Sequence, residues 1–413
     1  MNVRGLRRSL LNLSTLGVLA LVVASCGGSS ATAKGPIAVA ELFPTTGKIA
    51  TLGQFMLKGA QTAVKDVNSH GGVMGRNLVE YSADTAGDAA DAVPAFRQLG
   101  THSPAFMVGP TGLEFSAIQP LIDASKLPSF VIVGSPAYDT MNDPYSYRIT
   151  PSDSVLGKAM AYYAIQKGLT QCSILFESGE ASQSLVPAVT TPYLAHGGKI
   201  LANIALTPNQ TSYSSEIVKA FADSPQCIFV QVSPQTAGTL FAAARSLGHL
   251  NVPFIGSDQF NDINVAKAIG LADASKWATG MAGAAATGPA NQYFLNAYKA
   301  AGNSEAPNDF AAAQYDAVIL SALAMTDAGS ADPAVWNQKM LDVSNPPGTV
   351  VNTYADGVAL LKQGKKINYE GASGPVDFDT HHAVYNGFAV VQFDTSSQLH
   401  DIFDIPASAL LNF

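Results

Sequence analysis

Only three cysteines occur in 413 residues, and none has a CxxC neighbour or metal-like spacing, which leaves no cysteine-based metal centre. Charge is sparse: 13% of residues are charged, and the 23 Lys and Arg are outnumbered by 31 Asp and Glu, for a net charge of −8. Such a chain does not bind nucleic acid unaided, because phosphate contacts need clustered cations. Catalytic signatures are missing as well. There is no HExxH, no Gly-x-Ser-x-Gly elbow, no Walker loop and no GxGxxG fingerprint. The Gly-Lys pair in "TTGKI" lacks the upstream glycine of a phosphate loop, and the adjacent His381 and His382 point to different faces of an extended segment. No metal and no cofactor are expected, and a secreted hydrolase is the least favoured function.

Long apolar runs are confined to the start of the chain. Arg4, Arg7 and Arg8 precede an apolar stretch whose uninterrupted part is Leu16 to Ala24, followed by Ser25 and Cys26. A basic region, a short apolar core and small residues at its end form an export signal, and the run falls short of the about 20 residues of a membrane-spanning helix. "VASC" resembles the bacterial lipobox, in which the cysteine is acylated and becomes the first mature residue. Cys26 is thus the expected lipidation site, with an ordinary cleavage near Ala24 as the alternative. Removing residues 1–25 takes away three arginines and no acid, moving the net charge from −8 to −11. Residues 26–35, "CGGSSATAKG", form a flexible tether.

The rest is long enough for two or three domains at about 150 residues each. Short β-branched runs alternate with helical patterns: "PIAVAELFP", "NLVEYSAD", "PAFMVGP", "PSFVIVGSP" and "YSYRIT" are strands, and Gly53 to Ser69 has helical spacing. From Pro151 the alternation starts afresh with "CSILFES", "KILANIAL", "CIFVQVS" and "VPFIGSD". The strand "GMAGAAAT" and further helices follow, and the tail "GPVDFD" and "YNGFAVVQFD" is strand-rich. The fold expected is α/β, with two doubly wound parallel-sheet lobes joined by a multi-strand hinge. Residues 36–149 and 280–358 are expected in lobe 1, and 150–279 and 359–413 in lobe 2.

The order of these pieces resembles the type I periplasmic, or extracellular, solute-binding proteins of ABC importers, in the leucine/isoleucine/valine-binding branch. The likeness is carried by "LFPTTGKIATLGQFMLKGAQTAVKDVNSHGGVMGRNLVEYSADTAGD", "MVGPTGLEFSAIQP", "DPYSYRITPSDSVLGKAMAYYA", "FAAARSLG", "PFIGSDQF" and "YEGASGPVDFD", and most specifically by "DVNSHGGVMGR". It implies a cleft that captures a small solute, an amino acid or a related amide or acid, and delivers it to ABC permease subunits. The protein would be an exported monomer, lipid-anchored on the outer face of the cytoplasmic membrane or in the periplasm. A ligand-sensing lipoprotein serving a membrane receptor is the alternative.

Open α/β sheets bind ligands outside the carboxyl ends of their strands, which directs attention to six loops. In the loop Gly109 to Leu113, the resemblance assigns Thr111, Gly112 and Leu113 to a ligand carboxylate; the plain alternative is a strand-to-helix turn. "VGSPA" leaves Ser135 as one hydroxyl of a relative's ammonium loop, with Ala137 at the threonine position and Tyr138 beside it. In the second lobe Ser182 stands at the end of a turn whose usual aromatic is missing, and Ser233 lies in the loop Gln231 to Gln235. Asp258 of "GSDQF" matches the acid that pairs with a ligand ammonium; its alternative role is to cap a helix starting near Asn261. Phe43, Phe115 and Tyr138 either wall the ligand or belong to the core. Cys172 and Cys227 start strands that are neighbours in a sheet of order 2-1-3-4-5, so they form either a disulfide or two buried thiols.

Overall fold

A computed structural model of the chain describes residues 35–47, 49–283 and 288–413. The expected leader, Cys26 and all of the tether but Gly35 lie outside the described residues.

The first lobe begins β1 (Ile37–Phe43), α1 (Ala50–Ser69), β2 (Leu78–Asp84), α2 (Ala89–Gly100), β3 (Phe106–Thr111), α3 (Gly112–Ser125), β4 (Ser129–Ile132), β5 (Ser146–Arg148). These strands form a parallel sheet of order β2-β1-β3-β4-β5. The second lobe has α4 (Asp153–Gln166), β6 (Gln171–Glu177), α5 (Glu180–Ala195), β7 (Lys199–Leu206), α6 (Ser214–Phe221), β8 (Cys227–Gln231), α7 (Pro234–Ser246), β9 (Phe254–Gly256), α8 (Ile263–Ile269), α9 (Leu271–Trp277) and β10 (Ala278–Gly283). The chain then returns to lobe 1 with α10 (Pro289–Ala300) and α11 (Asp309–Ala328), followed by β11 (Thr349–Val351), β12 (Ile367–Gly371) and β13 (Gly374–Pro375). It ends with β14 (Phe388–Phe393) and β15 (Leu399–Ile405), which complete the second sheet in the order β15-β14-β10-β9-β8-β6-β7.

Strands buried on both faces explain the near-continuous apolar runs. In β1, Val39 and Phe43 pack with α1 and α11, while Ala40 and Leu42 pack with α2 and α3. In β6, Ile174 and Phe176 face α4 and α5, while Leu175 faces α6 and α7. The contact between α1 and α11 is close because Gly59 has no Cβ; one added there would collide with the Ala311 carbonyl.

Three crossings join the lobes: residues 149–152 into α4, the chain leaving Gly283 for α10, and 385–387 into β14. The limit drawn at 358 needs correction. Ile367, Tyr369, Val376, Phe378 and Val384 share the core of β1 and α1, so this stretch packs in the first lobe. Buried Asp316 of α11 holds it there, accepting the Tyr369 hydroxyl at 2.8 Å, the Ala372 N–H at 2.8 Å and the Ser373 N–H at 2.7 Å. A cavity of about 110 Å³ is lined by Thr150, Pro151, Gly283 and Asn386 from all three crossings.

Core carboxyls titrate away from their ordinary range, Glu41 furthest among those with a value. Glu41 of β1 is fully buried and accepts the Ser82 hydroxyl on one oxygen while the other has no partner. Burial, with Glu80 nearby, pushes its carboxyl up to about 8 despite that hydrogen bond. The unfolded chain releases this proton near its ordinary pKa of 4.5 and the folded one near 8, so stability falls as pH rises between them. Glu41→Gln is expected to remove about 2 kcal/mol of the stability lost between pH 6 and pH 8 in urea titrations. An unchanged pH slope would contradict the assignment.

Candidate functional site

The carboxyl ends of the parallel strands in the two sheets carry the candidate residues. In lobe 1, Asp84 at the end of β2 accepts the N–H groups of Thr45 at 2.8 Å and Thr46 at 3.1 Å, and so pins the loop after β1. Burial works to raise its carboxyl, but the Thr46 hydroxyl and the backbone donors from Ala86, Thr46 and Thr45 overcome it and hold it at about 2.

The next loop begins α3. Thr111 is 4% exposed and donates its hydroxyl to Glu114, whose other oxygen takes the hydroxyl of Thr85. Glu114 itself is fully buried in the first turn of α3. Gly112 and Leu113 are exposed beyond it, Leu113 at 58%. At the end of β4, Ser135 accepts the Ala137 N–H at 3.4 Å; Ala137 is exposed and Tyr138 packs edge-on against Phe115 at 4.9 Å. Arg148, 1% exposed, organises this loop. It donates to the carbonyls of Val133 at 2.8 Å, Gly134 at 3.1 Å and Ser135 at 3.3 Å, and to the Asp139 carboxylate at 2.8 Å.

In lobe 2, Ser233 donates its hydroxyl at 2.7 Å to Glu177, the last residue of β6. Ser182 is buried in the first turn of α5. Gln231, at the end of β8 and 7% exposed, has an amide oxygen without a partner. Asp258 follows β9 and is solvent-accessible. It caps no helix: Ser257 takes the Gln259 N–H, and Asp262 caps α8. The protein packed around Asp258 raises its carboxyl, against the Ser257 hydroxyl and nearby backbone donors.

Asp153 connects the lobes. It is the first residue of α4, its N–H donates to the Gly134 carbonyl at 2.8 Å, and its carboxylate lies where a Cβ on Gly134 would stand. Burial and then the charge of Asp258 push it up to about 7, with Arg148 opposing. Asp153, Asp258 and the Ser135 loop therefore converge, whereas Ser182 is buried in α5. Phe43 and Phe115 are corrected to the core: they are 1% and 0% exposed, one on the α1 face of the sheet and one under α3. Asp153, Arg148 and Glu114 were not among the expected residues. Asp153 had a signal, the helix-start pattern "SDS" placed at the junction between the two α/β units.

Cys172 and Cys227 are fully buried, opposed in register on β6 and β8, and joined in a disulfide with Cα atoms 4.7 Å apart. The Tyr193 hydroxyl donates to the Cys172 sulfur at 3.1 Å.

Two doubly wound lobes, a triple crossing and acids converging between the strand ends define a type I solute-binding protein, a class of binding proteins rather than enzymes. Residues 36–398 match the periplasmic binding protein family, and the chain belongs to it, in the Leu/Ile/Val-binding branch. A Leu/Ile/Val-binding protein, BraC3 of Rhizobium johnstonii, is 25% identical over 61% of this chain and 66% of its own length. The substrate-binding protein BasB of a chemotactic signal transduction system in Halobacterium salinarum is 21% identical over 86% of this chain and 87% of its own. The branched-chain amino acid transporter substrate-binding protein LivJ of Streptococcus pneumoniae, solved with isoleucine, superposes with a TM-score of 0.72 at 21% identity, covering 90% of this chain and 99% of that one.

Proposed function

We propose that this protein captures a small polar solute, an amino acid or a related amide or acid, between its lobes and delivers it to the permease of an ABC importer. The observation that carries this reading is the meeting of Asp153 and Asp258 beside the Ser135 loop, a pair of acids suited to a ligand that donates hydrogen bonds. Lipid attached at Cys26 would keep the exported protein beside its permease; more than one acyl chain gives stable retention. Likeness to BasB favours a second reading, in which the loaded protein signals to a membrane receptor.

A bound solute stabilises only the folded state, by about 2.7 kcal/mol at a hundredfold excess over Kd. Amino acids, amides and small acids screened by thermal unfolding are expected to include stabilisers. Asp258→Asn is then expected to weaken a cationic ligand at least about tenfold, the value of a charge-assisted hydrogen bond. No stabilising solute in the screen counts against capture, and full affinity in Asp258→Asn removes that residue from the site.

A further inference from the structure

We propose that the cleft selects a small amine or carboxamide and rejects the corresponding free carboxylate; this rests on the solute-binding reading above. The receiver expected for a ligand carboxylate is the start of α3, where a helix presents unpaired N–H groups and the positive end of its dipole. That place already holds an acid of the protein. Glu114 is fully buried in the first turn and accepts the Thr85 hydroxyl on one oxygen and the Thr111 hydroxyl on the other. With both oxygens taken up in this way, the Thr85 and Thr111 hydroxyls are directed at Glu114 rather than at a ligand.

Two consequences follow for a ligand. Thr111 and Thr85 have spent their protons, so they offer only lone pairs. An incoming carboxylate would also find the acceptor oxygens of Glu114, Thr85 and Thr111 at this place, where a carboxylate needs donors. The guanidinium of Arg148 does not compensate, because its side chain is 1% exposed and donates to three carbonyls and Asp139. Across the cleft the acidic groups are again acceptors: Asp153, Asp258, and Glu177 with the Ser233 hydroxyl directed at it. Among the described residues, the donors left on the lobe 1 wall are the Ser135 hydroxyl, whose oxygen accepts the Ala137 N–H, and main-chain N–H groups at the start of α3, where the Thr111 side chain caps none. A carboxamide satisfies both walls. Its C=O accepts from those N–H groups without bringing a negative charge, and its NH2, or an accompanying ammonium, donates to the acids.

The test is calorimetric titration of the purified protein with matched pairs: amino acids against their amides, and short carboxylic acids against their carboxamides. In each pair that binds, the amide is expected to bind at least about tenfold more tightly, the discrimination that like-charge juxtaposition supplies. The pairs lacking an amine tell whether the amide alone suffices. Equal or tighter binding of the acids overturns the selection but leaves solute capture intact, whereas no binding by any member overturns both. Glu114→Gln, confirmed folded by its melting curve, exchanges an acceptor oxygen for a donor and is expected to raise acid affinity about tenfold relative to amide affinity. An unchanged acid affinity in that variant also overturns the proposal.

Discussion

Replacing Arg148 by methionine is expected to lower the unfolding free energy by about 3–5 kcal/mol, the usual cost of removing one partner from a buried charged network. Methionine restores the volume of the alkyl stem, so the loss measures hydrogen bonding rather than a void. The Val133 carbonyl loses the guanidinium donor outright, those of Gly134 and Ser135 fall back on the N–H groups of Asp153 at 2.8 Å and Tyr138 at 3.2 Å, and Asp139 keeps the Ser152 hydroxyl at 2.5 Å. Water can repair the rim of this network at Asp139, which is 30% exposed, but not its base. Since the same loop carries Ser135 and receives Asp153, ligand-induced stabilisation should vanish with it. Arg148→Lys keeps the charge without the fork of donors and should fall between the two proteins. Urea unfolding that places Arg148→Met within 1 kcal/mol of the parent, against the about 3 kcal/mol minimum expected here, would falsify this role.

The second large effect belongs to the disulfide. Cys172 and Cys227 are 55 residues apart, and the chain-entropy relation assigns a loop of that length about 4 kcal/mol at room temperature. The double variant Cys172→Ala, Cys227→Ala should lose roughly this amount while keeping its ligand response. The sulfurs lie at the amino ends of β6 and β8, away from the carboxyl ends that carry the candidate site, and the flanking ladder from Ser173↔Ile228 to Phe176↔Gln231 needs no cross-link to form. Denaturation of the parent with and without reductant gives the same comparison without mutation. Coincident curves would show that the bond adds no stability.

Much of the architecture was legible because parallel strands covered on both faces must be apolar throughout. "CSILFES" and "CIFVQVS" announce themselves as β6 and β8, and the restart of the alternation after Pro151 marks the second lobe. The small sheet of β11, β12 and β13 was not legible. Its strands have three, five and two residues, too few to show a period, and its place in lobe 1 depends on Asp316, 53 to 57 residues away in sequence. Among the further helices that the pattern after "GMAGAAAT" predicts, the one over "DPAVWNQKMLDVS" is broken, with its α-helical turns at Pro333–Trp336 and Met340–Ser344 separated by a 3₁₀ turn.

The site followed the same division. Asp258 could be located by its place in "GSDQF" after a strand, a local feature. Glu114 could not, since its meaning depends on Thr85, 29 residues earlier. Phe43 was left between ligand wall and core because its apolar ring suits either; both faces of β1 are covered by helices, and it packs on the α1 face.

The triple crossing limits how the two lobes can move. Bodies tied by a single flexible strand could swivel and twist about it freely, whereas three ties side by side leave essentially one rotation, opening and shutting. Every encounter with a solute then runs along the same coordinate. If a solute is captured between the lobes as proposed, it would leave only when that one angle widens, and its dwell time would report the resistance of the hinge as well as the chemistry of the cleft.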